Sequence, residues 1–184
     1  AVTCMDSNPV TTGFGRRDEE PPTDMVNIGL DPRHDHLTGY LFQTNPSSWQ
    51  GDMSLFDDDN ADRDYNSNWE VRSLITPIGW TAEFRVPLDQ LRYGSQDEQV
   101  WGMHAWRWIA RNHEEDQWQL IPRQNTGRMY QLGELRGIRG LKRSRHLGLF
   151  LVAISQQLSD FAGPYGKALL RNSTQQLFLR QSPD

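Results

Sequence analysis

The sequence predicts an all-β protein, an antiparallel β-sandwich followed by a C-terminal extension. Three observations predict it. Short runs with period-two alternation recur along the first 141 residues, and that period places every second side chain on one face of a strand. Segments rich in Asn, Asp, Pro and Gly separate the runs, as turns require. The spacing of the runs is regular, which favours two packed sheets over a mixture with helices.

Each run takes its place in order. "AVTCM" (1–5) is a strand stopped by "DSNP". "DMVNIGLD" (24–31) puts Val26, Ile28 and Leu30 on one face, and the turn "PRHDHLTG" returns it into "YLFQTN" (40–45), a hairpin. "GDMSLF" (51–56) follows, then an acidic loop, "DDDNADRDYNSN". "WEVRSLI" (69–75) sets Trp69, Val71, Ser73 and Ile75 on one side, and "TAEFRV" (81–86) turns Ala82, Phe84 and Val86 inward. "PLDQL" is too short for a helix and reads as a single turn at a sandwich corner. "QVWGMHAWRWIAR" (99–111) alternates throughout, with Trp101, Met103, Ala105, Arg107 and Ile109 on one face and Val100, His104, Trp106 and Trp108 on the other. "QWQLIP" (117–122) and "GELRGIRGL" (133–141) complete the strands.

The domain expected from this pattern spans residues 1–141. Residues 142–184 change character: a basic "KRSRH" precedes the strand-like "LGLFLVAISQQL" and a tail that fits strand or helix equally. This stretch reads as an extension, or as the start of a following barrel domain. The chain opens already inside a strand, so one or more N-terminal strands are expected upstream.

Composition narrows the function. Hydrophobic residues make up 36% of the chain and mean hydropathy is −0.75, polar but able to fold. Seven Trp, seven Phe and five Tyr supply the core, since each aromatic buries about 150–250 Å². Residues 1–70 hold 14 Asp/Glu against 4 Arg and no Lys, a balance of −10; residues 71–184 hold 10 against 15, or +5. An acidic front half argues against nucleic acid, whose phosphates need a clustered basic face. The one cysteine, Cys4, lies in an apolar run and reads as a buried thiol.

Several residues invite chemistry. Trp118, flanked by Glu115 and Gln119, and Trp49 in the loop "NPSSWQG" offer flat aromatic faces beside polar groups, a combination that sugar recognition uses. Packing within the sheets accounts for the other five tryptophans. Asp58, Asn60 and Asp62 stand at alternate positions and supply oxygen donors of the kind calcium takes, without the glycine and glutamate of a helix–loop–helix calcium site. His34 and His36 flank Asp35 in a hairpin turn with no third metal ligand at a suitable spacing. His104 reads as a core histidine with its hydrogen bonds satisfied. Glu83 and Arg85 share a strand face and suit cross-strand ion pairing on a polar outer surface. No paired-carboxylate motif for glycoside hydrolysis stands out, which argues against catalysis by this domain.

The order "DSNP", "GRRD", "DMVNIGLDP", "TGYLFQTNP", "NWEVRS", "GWTAEFRVPLDQLRYG", "WGMHAWRWIAR", "WQLIPR", "GELRGI" resembles the carbohydrate-binding family 9-like domain. The resemblance is to the branch found at the N-terminus of bacterial outer-membrane proteins with a following β-barrel, proteins often called membrane-associated hydrolases. It covers roughly residues 1–141 and implies an antiparallel β-sandwich of the jelly-roll type. In sugar-binding members two tryptophans sandwich a sugar end while an acidic residue, an arginine and an asparagine hold hydroxyls. The matching positions here are Pro21 and Trp118 for the tryptophans, then Asn27, Gln43 and Glu115, so one of the five is retained. The resemblance implies a non-catalytic glycan-binding module of a secreted, periplasmic or outer-membrane protein. Two alternatives accompany it. One is a structural or interaction cap without a sugar site. The other is a haem-binding electron-transfer sandwich, for which Met103 and His104 are the candidate ligands.

Overall fold

The computed structural model describes residues 1–6, 8–58, 60–122 and 124–141; the extension expected over 142–184 lies outside the described residues. It is an all-β sandwich of two antiparallel sheets. The smaller has the order β1-β7-β6, from Val2–Met5, Gly79–Arg85 and Glu70–Thr76. The larger has the order β10-β8-β2-β3-β4-β5, from Gly133–Arg139, Glu98–Ile109, Met25–Asp31, Gly39–Thr44, Gln50–Phe56 and Asn60–Asp62. A further strand, β9 (Glu114–Gln117), pairs with β8 beyond the end of β10.

Alternation decides which side chains enter the core. On β2 the even positions go in: Val26 packs with Cys4, Trp80 and Ala82 of the small sheet. On β8 the odd positions go in, and Trp101 joins Phe42, Trp69 and Leu91. Trp69 stacks on Phe84 with ring centroids 5.7 Å apart and planes within 3° of parallel. The Pro87 corner is a single 3-10 turn, Leu88–Gln90, and Leu91 just beyond it closes the core at 6% exposure. Cys4 is buried, and burial raises its thiol pKa against the opposing pull of Arg107. No helix among the described residues is long and apolar enough to cross a membrane.

Two expected elements differ. The last hairpin strand is Glu114–Gln117 rather than 117–122. His113 adopts a left-handed conformation, φ 51°, and returns the chain tightly enough that the acidic "EEDQ" pairs with Trp106 to Ile109. This strand has no apolar alternation, so pattern alone passes over it. Inside the acidic loop, Asn60–Asp62 pairs with Ser54 to Phe56 as a short edge strand.

Candidate functional site

The larger sheet has a second face, turned away from the small sheet, and the residues there are not those of a plain solvated surface. Residues opposite one another across a ladder point to the same side. The register therefore lines up Gly51, Gln43, Asn27, Trp106 and Gln117 in one row across five strands. The neighbouring row contains Met53, Leu41, Gly29 and His104. Asn27 is 2% exposed, and its carbonyl oxygen Oδ1 accepts from Gln43 Nε2 at 2.7 Å. Trp106 and Gln43 are half-buried. Met129 and Leu132 close the lower end of this face, seated against Gly39 and Gly102, where a Cβ would meet them at 2.5 and 3.2 Å.

The upper end is closed by Trp49. Its ring lies on Gly51, where a Cβ would stand 2.4 Å from Cη2. Its indole N–H donates to the Arg16 carbonyl at 2.7 Å. Trp49 is 5% exposed, so it does not present the free aromatic face expected from its loop. The cause is local. Asn45 Oδ1 accepts the backbone N–H groups of Ser47 and Trp49, both at 2.9 Å, and the resulting turn aims the indole under the Gly15–Arg16 segment.

Of the five residues singled out for a ligand, the fold brings Asn27, Gln43 and Glu115 to this outer face, with Trp49 at its roofed end. Glu115 is opposite Trp108 on β9 and its Oε1 accepts from Gln117 Nε2 at 2.5 Å. Trp118 is 61% exposed but goes elsewhere. Its backbone N–H donates to Ala105 O at 2.9 Å, which continues the β9 alternation and turns its side chain to the side of Asp116 and Met103. There the ring covers Gly133, 2.9 Å from the position of a Cβ. The aromatic beside Asn27 is Trp106, which strand periodicity had marked as ordinary packing. Adding the cross-strand partner to the sequence pattern is what distinguishes it.

Met103 and His104 are successive residues of β8 and point to opposite faces, so they do not converge on one haem. His104 is 5% exposed, yet among the described residues its Nδ1 has no hydrogen-bond partner, unlike the satisfied core histidine expected. Asp58 Oδ1 accepts from the N–H groups of Arg128 and Met129 at 2.9 and 2.7 Å, and Asp62 Oδ1 accepts from Asp64 N at 3.0 Å. Asn60 is exposed on β5. Among the described residues no group of three or more His, Cys, Asp or Glu side chains could hold a metal. A cleft of about 560 Å³ opens at the start of β8, lined by residues 93–99 and 139–141. It lies far from the polar row, and its groups are engaged with one another: Gln99 Nε2 with the Gly94 and Gln96 carbonyls, Arg139 with Glu98. We therefore place the candidate site at the row and not at the larger opening.

A scan against known protein families, a search of curated proteins and a search of solved structures each find no match.

Proposed function

We propose that this chain is a non-catalytic carbohydrate-binding module, of the family 9-like type its sequence resembles, carried by a secreted, periplasmic or outer-membrane protein. The observation that carries the reading is the Gln43–Asn27–Trp106–Gln117 row. It puts an aromatic ring beside an amide pair on an outward sheet face, with the Glu115 carboxylate on the adjoining strand. Aromatic surface supplies contact area, and fixed amides and carboxylates select hydroxyls, because a buried polar group left unpaired is penalised.

The reading is tested by calorimetric titration of the chain with a panel of soluble oligosaccharides, with calcium and with chelator. Trp106→Ala is expected to weaken binding at least about tenfold, the equivalent of 1.4 kcal/mol, while Trp118→Ala retains it. The reverse pattern would move the site to the sheet edge at Trp118. A folded sample that binds nothing in the panel would sink the glycan reading. That outcome would leave a structural or interaction cap, which the roofed Trp49 favours.

A further inference from the structure

Among the described residues two buried side-chain nitrogens lack a hydrogen-bond partner, His34 Nε2 and His104 Nδ1. His34 is in a turn, its side chain 29% exposed and 3.8 Å from Glu134, so a small rotation provides a partner. His104 is different. It is fixed in the middle of β8, it is 5% exposed, and it adjoins the candidate site. Its ring stacks on Trp106 with centroids 5.0 Å apart and planes 23° from parallel. Opposite His104 on β2 is Gly29, and Trp106 Cζ3 lies 3.6 Å from where a Gly29 Cβ would stand. The indole thus has the imidazole stacked on it and its Cζ3 edge over the bare backbone of Gly29.

We infer that His104 is a positioning residue for Trp106: its neutral form holds the indole beside the Asn27–Gln43 amides, and its protonation releases that indole. The neutral ring can leave one nitrogen as a bare acceptor. The charged ring carries N–H on both nitrogens, and a buried charged donor with no acceptor is much the costlier state. The charges facing His104 are Glu115 on β9 and Arg128 just before the Met129–Gln131 turn; β2 offers only Gly29 and Asn27 opposite it and Trp106. Burial pushes the His104 pKa below its ordinary 6.5, with Glu115 opposing and Arg128 adding to the push. A depressed folded pKa means that the unfolded chain binds more protons as pH drops below 6.5. The arrangement is therefore at full strength above that pH and loses stability as pH falls toward the folded-state value. To gain an acceptor the charged ring must swing toward Glu115 or water, and either motion breaks the flat stack on Trp106.

The effect on ligand rests on the carbohydrate reading above; the positioning of Trp106 does not, and the experiment separates them. Tryptophan fluorescence of the full chain is followed from about pH 7.5 down to about pH 4.5, across the range where histidine titrates. The wild type is expected to show a step below pH 6.5 that is absent from both His104→Phe and Trp106→Phe. His104→Phe keeps an aromatic stack that does not titrate, whereas His104→Ala removes it. Cellotetraose, xylotetraose and laminaritetraose are titrated at both ends of the range. Wild-type affinity should fall several-fold in acid, His104→Phe should vary less than twofold, and His104→Ala should be weak throughout. The same fluorescence step in His104→Phe would assign it to carboxylates such as Glu115 and overturn the inference. Wild-type affinity retained by His104→Ala would overturn it too, while leaving the carbohydrate reading intact. The step without binding of any of the sugars would uphold the inference and sink that reading.

Discussion

The two sheets each turn one face away from the core, and the two outward faces follow different rules. On the small sheet Glu70 is opposite Arg85, Arg72 opposite Glu83, and Leu74 opposite Thr81 and then Thr3. The Arg85–Glu70 pair, 3.4 Å apart, is 81% and 70% exposed. Water solvates this face and folding loses little by it. On the large sheet the outward face withdraws an asparagine and a histidine almost wholly from water, between one end closed by Trp49 and another closed by Met129 and Leu132. The asparagine carbonyl is satisfied by Gln43, but His104 Nδ1 has no partner among the described residues, and withdrawing an unsatisfied polar group costs about 1–3 kcal/mol. A sandwich needs only its inner faces to cohere, so an arrangement that works against stability on an outer face points to a purpose other than folding.

The largest effect should come from the roof. Trp49→Ala removes a buried indole and its hydrogen bond to Arg16, and the expected loss is about 3–5 kcal/mol in denaturant unfolding. Leu74→Ala on the other outward face, where the side chain is 66% exposed, should change stability by about 0.5 kcal/mol or less. Equal costs for the two would erase the contrast between the faces.

The sequence reveals the strands more readily than the site, for a physical reason. Alternation of Val26, Ile28 and Leu30, or of Trp101 and Met103, depends only on neighbours within one strand, so the core faces are legible in order. The turn at Pro87 is equally local. The partner of Asn27 is Gln43, sixteen residues away, and its other neighbour Trp106 is seventy-nine away; a row across five strands is set by register, which no single strand encodes. Trp49 misleads because its burial depends on Gly51 beneath and Arg16 above. Trp118 misleads because a strand beginning at Glu114 instead of Gln117 changes the ladder to which its alternation belongs. His104 shows its alternation but not that its Nδ1 lacks a partner among the described residues, since hydrogen-bond pairing is a property of the packed environment.

A sharper comparison separates stability from function on the polar face. Asn27→Leu leaves Gln43 without its acceptor and should cost about 1–2 kcal/mol. Adding Gln43→Leu replaces both partners by apolar groups, and the double variant should recover to within about 1 kcal/mol of the parent. The proposed glycan binding should be lost in both variants. Chemical unfolding and calorimetric titration read the two quantities separately. A double variant that is stable and still binds would show that the amide pair is packing alone.

The smallest effect belongs to the solvated face, and it bears on Glu83 and Arg85. The pattern that puts both on one side of β7 looks purposeful in the sequence, yet each has an opposite charge across the ladder and water around it. Arg85→Ala should cost about 0.5 kcal/mol or less at moderate ionic strength, because exposed pairs gain little Coulomb energy and lose side-chain freedom. Raising salt should shrink even that difference, as screening shortens to a few ångströms near 1 M. Binding at the polar face should not change. A cost above about 1 kcal/mol that resists salt would mean Arg85 is shielded from water in the protein as purified. The face of the small sheet would then also be a contact surface, and the asymmetry between the two outward faces would no longer single out the Asn27 row.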